Sequence, residues 1–269
     1  MAISMYREIV DWIYVLITAL IPGFLATWLG VGGCFLRIPM IMYFFNIPIK
    51  TAYCINQAVI ALTTIPGVIV HYKNKYVYNK GLLVATLGAC IGVSLGAYVV
   101  ARYISRLVLR IIFGFACTLI GVYILHKTVK FRRKLKKVVS LREVVMLDYG
   151  PKLFILMFLA GFATGICGFG GGIYYVPILI TLGYPTHIAV GTSSAQMIFT
   201  AGLGSSVLTI HGNMNWKLFL AIGIPTTVAS WFGAKLAHKS PPYMLRLVYA
   251  ILIVIVGLYV AIESLLHIF

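Results

Sequence analysis

The chain has 269 residues, 61% of them hydrophobic and only 10% charged, with a mean hydropathy of +1.01. This composition excludes an ordinary soluble globular domain and points to an integral membrane protein. The net charge of +17 would suggest a nucleic-acid binder if it were spread over the chain, but eight of the 22 basic residues fall in KTVKFRRKLKKVVSLR, 127–142. No aromatic interleaving or fold motif accompanies them, so the basic stretch reads as a loop flanking membrane spans and facing anionic lipid headgroups.

A helix needs about 20 apolar residues to cross a hydrocarbon core roughly 30 Å thick. In chain order, apolar windows of that kind cover 9–29, 51–70, 81–101, 107–125, 152–166, 188–210, 217–237 and 244–268. The first is read as a retained span and not as a signal peptide, because it is long, carries Asp11 and lacks a small-residue cleavage site. Two runs of about half that length, 35–45 and 173–182, each follow a glycine cluster. The chain is therefore expected to be all-α, with eight to ten transmembrane segments.

Five cysteines, Cys34, Cys54, Cys90, Cys117 and Cys167, are odd in number and scattered through apolar segments, so no disulfide framework is expected. CxxC, HExxH, P-loop and nucleophile-elbow motifs are absent, and with them the templates for a soluble enzyme.

The basic stretch divides two similar halves. Gly23-Phe24 recurs as Gly161-Phe162, and Gly30, Gly32, Gly33 and Pro39 recur at the same intervals as Gly168, Gly170, Gly171 and Pro177. Pro48 and Ala52 return as Pro185 and Ala189, and LRIIFGFACTLIGVY, ending at Tyr123, returns as LRLVYAILIVIVGLY, ending at Tyr259. The spacing predicts a first repeat over 1–126, a basic cytoplasmic linker over 127–150 and a second repeat over 151–269, each repeat with four full spans and one short broken or re-entrant helix.

Unpaired backbone groups are not tolerated in lipid, so non-helical chain at membrane depth survives only where protein buries it or water reaches it. Matching glycine clusters thus predict two broken elements meeting between the repeats. Half-helices there would point their amino ends at a central site suited to anions. Gly30, Gly32, Gly33, Gly168, Gly170, Gly171 and Gly172 would permit close backbone approach to a ligand. Gly88, Gly92 and Gly96, four apart on one span, read instead as a packing face.

Paired GxGGxxxxxP segments, each followed by a polar-flecked helix (AYCINQA and AVGTSSAQ), resemble the TauE/SafE sulfite exporter family, also called the 4-toluene sulfonate uptake permeases. The resemblance runs from about Gly23 to Glu263 and implies a multi-pass cell-membrane transporter of sulfite, sulfonates or similar sulfur-containing anions. The second half follows the pattern more closely. In the first, Cys34 interrupts the glycine run, Arg37 intrudes, and Asn56-Gln57 stand where the second half has Ser193-Ser194.

The residues themselves agree with an anion. The acidic residues are Glu8, Asp11, Glu143, Asp148 and Glu263, none central to a span, so a metal-cation site has almost no ligands and no metal or cofactor is expected. Arg37 lies inside a short apolar run, where a guanidinium needs water, a counter-charge or a headgroup; a bound oxyanion would serve, and snorkelling to the interface is the alternative. Asn56, Gln57, Thr192, Ser193, Ser194 and Gln196 are read as substrate-binding, with helix-to-helix hydrogen bonding as the alternative. Lys50 and His187 read as interfacial loop residues. The expected activity is anion export by alternating access; a passive anion channel or a non-transporting scaffold is the other reading. The charge distribution does not separate inverted from parallel repeats, but broken helices at matching depths favour the inverted arrangement, and oligomeric state is not legible.

Overall fold

The structure is a computed structural model and describes residues 2–28, 33–131, 150–237 and 242–266. Among the described residues there are ten helices and no strand: α1 (Ala2–Trp28), α2 (Cys34–Phe44), α3 (Ile49–Lys73), α4 (Asn79–Arg102), α5 (Arg106–Phe131), α6 (Pro151–Cys167), α7 (Gly172–Thr181), α8 (Thr186–Ile210), α9 (Trp216–Ala237) and α10 (Pro242–Leu266). The all-helical expectation holds. Among the described residues five helices, α1, α3, α4, α5 and α10, are long and apolar enough to cross a membrane; α8 and α9, whose windows 188–210 and 217–237 were read as full spans, are not among them. The window 152–166, read as a full span, is the 17-residue α6, about 26 Å long, which stops at the glycine cluster.

Nearly all extensive packing joins one half of the chain to the other: α4 on α6, α5 on α10, α1 on α9 and α3 on α8. Small residues set the directions. Gly88, Gly92 and Gly96 lie against Phe154, Phe158 and Phe162, so α4 and α6 run parallel. Gly23 meets Thr226 and the Thr27 hydroxyl donates to the Ser230 carbonyl, so α1 and α9 also run parallel. By contrast Gly114 meets Ala261 and Gly121 meets Val254, making α5 and α10 antiparallel. Cys54 reaches Thr209 while Gly191 backs onto Tyr76, making α3 and α8 antiparallel too.

These contacts define two faces of the bundle. On one, the Lys50 ammonium donates to the Ala101 carbonyl at 3.0 Å, Tyr98 meets His211, and Asp11, Phe44 and Lys217 line a common surface. On the other, His187 stacks on Tyr76 and Tyr78 meets Tyr184. Lys50 and His187 thus lie at helix ends, as their loop reading requires. The second face also receives the end of α5 and the start of α6 and is called the linker face below; of the expected 127–150 linker, residues 127–131 continue α5 and 132–149 lie outside the described residues.

The short helices are half-length hairpin arms. Gly33, preceding α2, lies against Pro22 of α1, and Phe44 at its end stacks on Tyr14 at 4.8 Å, so α2 starts deep and runs back beside α1. α7 does the same from the opposite face, ending at Thr181 across a cleft from Lys127. The two halves of the chain therefore enter the bundle from opposite faces, and their broken arms meet in its interior.

Candidate anion site

Two left-handed glycines break the chain between α6 and α7. Gly168 caps α6 at φ +68° and Gly171 caps α7 at φ +80°, conformations that a Cβ strains. A methyl at Gly168 would also strike the Tyr53 ring and one at Gly171 the Tyr175 ring. Gly171→Ala is expected to cost about 1–3 kcal/mol, read as a lower melting temperature in detergent.

The first intrahelical acceptor of α7 is the Gly171 carbonyl, bonded by the Tyr174 and Tyr175 amides; that of α2 is the Gly33 carbonyl, bonded by the Leu36 and Arg37 amides. The amides ahead of these have no helical acceptor, which gives each amino end a partial positive charge. The two ends face one another, with Cys34, the first residue of α2, beside the Gly170 backbone.

Arg37 lies at this junction, only 1% exposed. Its Nη1 donates to Asn56 Oδ1 at 3.0 Å, and Asn56 Nδ2 donates to the Gly168 carbonyl at 3.0 Å, tying α2 through α3 to the break in the other half. Arg37 Nε has no partner. Glu263 is bound elsewhere, to the Tyr43 hydroxyl at 2.8 Å and to Arg110 at 3.6 Å, and among the described residues no carboxylate pairs with Arg37. The structure thus excludes snorkelling to the interface. A buried guanidinium, a bare Nε–H and two converging helix amino ends make a locus of positive potential with no counter-charge among the described residues.

The family model described as Sulfite exporter TauE/SafE matches residues 15–260. The chain belongs to the TauE/SafE sulfite exporter family. It is thus a multi-pass membrane transporter protein. It is 25% identical over 268 residues to the Probable membrane transporter protein YunE of Bacillus subtilis, covering 92% of this chain and 96% of that one. A probable membrane transporter protein of Methanocaldococcus jannaschii is 26% identical over 258 residues, covering 91% and 93%. The Sulfite exporter TauE/SafE family protein 6 of Arabidopsis thaliana is 29% identical over 122 residues, 44% of this chain and 28% of that protein. No solved structure matches significantly.

In this TauE/SafE chain the residues singled out from sequence divide into two sets. Gly33, Arg37, Asn56, Gly168, Gly170 and Gly171 converge at the junction, with Gly172 opening α7; Gly30 and Gly32 lie outside the described residues. Gln57 is fully buried against Gly204 with both amide atoms unpaired, and Ser193, 1% exposed, has an unpaired hydroxyl. Thr192 instead accepts from the Tyr78 amide at 3.1 Å, anchoring the α3–α4 turn. Gln196 Nε2 reaches the Ala85 carbonyl of α4 at 3.3 Å, and Ser194 is half-buried beside it in sequence.

Sequence reasoning passed over Tyr53, Tyr175 and Tyr249, whose buried hydroxyls have no partner. One signal was available: Tyr175 stands seven residues beyond Gly168, as Arg37 stands seven beyond Gly30. Asn56→Leu removes the bridge from Arg37 to Gly168 and should lower stability by about 1–3 kcal/mol through the polar groups it leaves unpaired, read as thermal unfolding in detergent.

Proposed function

We propose that the protein is a carrier of small oxyanions, sulfite and organic sulfonates foremost, that holds its substrate at Arg37 between the amino ends of α2 and α7. The observation that carries this reading is the buried Arg37 without a carboxylate, its Nε–H unused, at two helix amino ends. A planar guanidinium suits two oxygens of an oxyanion at once. Its near-complete burial favours a carrier that encloses its substrate over a continuously open pore.

The halves act as inverted repeats. Exchanging α1–α5 for α6–α10 carries the α4–α6 contact into the α9–α1 contact and α4–α8 into α9–α3, while α3–α8 and α5–α10 map onto themselves. Equivalent helices that pack antiparallel are those related by a two-fold axis lying in the membrane plane, the arrangement through which many carriers alternate access. Lys73, Lys75, Lys80, Lys127 and Lys152 share the linker face, which supports placing that face on the cytoplasmic side of a cell membrane. With the cytoplasm negative, moving one negative charge outward gains about 2.3 kcal/mol per 100 mV, enough to drive export without a proton relay.

The test is uptake of radiolabelled sulfite, sulfate, a sulfonate and a small carboxylate by reconstituted vesicles. Sulfite or sulfonate flux should follow the imposed potential, and unlabelled sulfite on the far side should accelerate it. Flux without that acceleration would establish a channel; no flux of any of the four would sink the anion reading.

A further inference from the structure

The two halves differ at one pair of contacts that should be equivalent. Phe35 stands two residues beyond Gly33 as Ile173 stands two beyond its counterpart Gly171, and Tyr43 and Thr181 stand ten beyond the same glycines. On the helices they face, Tyr259 corresponds to Tyr123 and, four residues on, Glu263 corresponds to Lys127.

In the first set the contacts are made. Phe35 meets the Tyr249 ring edge-on at 5.2 Å, Tyr43 meets Tyr259 at 5.6 Å, and the Tyr43 hydroxyl donates to Glu263, which also pairs with Arg110 of α5. α2 is sealed against α10. In the second set the walls stand apart. Ile173 and Thr181 of α7 and Tyr123 and Lys127 of α5, with Leu156 and Leu159 of α6, line a mainly apolar cavity of roughly 790 Å³ that reaches inward to Gly172, Tyr174 and Tyr249. The Thr181 hydroxyl bonds only back to Pro177 of its own helix. Lys127 is exposed at the outer end, its ammonium over the Tyr123 ring at 5.7 Å.

We infer that the cleft between α5 and α7 is the linker-face entrance through which an oxyanion reaches the Arg37 junction, with Lys127 the cation it meets first. Its counterpart on the opposite face is the α2–α10 seam, shut by Tyr43, Glu263 and Arg110. Transport exchanges the two: α7 closes on α5 as Tyr43 leaves Glu263. This rests on the carrier reading above and adds to it a path, a lock and the residues of each. The two ends are chemically unlike, since a carboxylate occupies the position of Lys127 at the sealed seam. A neutral hydroxyl on α2 is held there by an acid, whereas the open cleft offers an incoming anion an unshielded ammonium.

Thiol chemistry tests this without needing a substrate, because four of the five native cysteines are buried and the half-buried Cys90 is not among the residues lining the cleft. Ile173→Cys should react with an anionic, membrane-impermeant thiosulfonate added at the linker face at least about tenfold faster than Phe35→Cys does from the opposite face. Lys127→Ala should slow the anionic reagent at Ile173→Cys several-fold and leave a cationic reagent unslowed. Tyr43→Phe, or Glu263→Gln should the first variant fold poorly, should raise the rate at Phe35→Cys. A disulfide between Thr181→Cys and Tyr123→Cys should stop uptake of a sulfonate, which unlike sulfite does not cleave disulfides, and its reduction restore it.

Equal rates at the two positions, or an Ile173→Cys unreactive from the linker face in protein that elutes as a single folded species, would overturn the assignment. The two readings fail separately. Loss of uptake in Arg37→Gln with rates that ignore Lys127 and Tyr43 would leave the site and remove the gates. Gated labelling with unchanged uptake in Arg37→Gln would do the reverse.

Discussion

Arg37→Gln is expected to reduce sulfite uptake by at least about 100-fold, the equivalent of roughly 3 kcal/mol of lost anion binding, while the protein stays folded. Glutamine keeps an N–H donor for Asn56 Oδ1, so the bridge to Gly168 is retained in kind. It removes a buried charge whose presence inside a membrane costs at least a few kcal/mol. The melting temperature in detergent should therefore hold or rise as transport disappears, a combination that a merely structural arginine does not produce. Arg37→Lys, which keeps the charge but not the planar fork, should fall between wild type and Arg37→Gln. Uptake and melting measured on the same preparations decide the matter.

The largest effect on folding is expected at Gly92. A Cβ there would overlap the Phe158 carbonyl and crowd the Phe162 amide, both backbone groups of α6 that no side-chain rotation can clear. Gly161 and Gly165 of α6 are equally closed by Ala89, Val93 and Ala97 of α4, so the seam is tight from both sides. Without a hydrophobic drive between helices in lipid, such close backbone approach is what holds them together. Gly92→Leu should cost at least about 3 kcal/mol and abolish a monodisperse species in size-exclusion chromatography. Gly67→Leu and Gly202→Leu, where a Cβ meets nothing, should stay within about 1 kcal/mol of wild type.

The residues that announce themselves in the sequence are those that violate the local rule. Glycines and prolines in an otherwise apolar run have no use to a continuous helix, and they marked both breaks. Arg37 was visible for the same reason: a charge in an eleven-residue apolar helix needs a partner. The α4 glycine series was legible because four-residue spacing repeats on one helix face. Tyr53, Tyr175 and Tyr249 were not, since a tyrosine in a membrane span reads as bulk until its hydroxyl is found without a partner.

The polar residues of α8 were only partly separable. Ser193 and Gln196 differ by three positions, yet rotation about the helix axis directs Gln196 to the Ala85 carbonyl of α4, a contact that spacing alone does not reveal. The opposed entry of the two halves was favoured only by the matching broken helices, because it lies in which helices pack antiparallel and the charge distribution favoured neither arrangement. Contacts such as Gly114 with Ala261 join residues more than a hundred positions apart, and no local pattern encodes them.

The positive locus at the α2–α7 junction is tested most directly by titrating sulfite calorimetrically into purified, detergent-solubilised protein, with neutral dimethyl sulfone as the matched control. Saturable binding of sulfite, none of the sulfone, and loss of the sulfite signal in Arg37→Gln are expected. Binding of sulfone and sulfite alike, or sulfite binding unchanged in Arg37→Gln, would show that the buried guanidinium and the helix amino ends do not form the anion site.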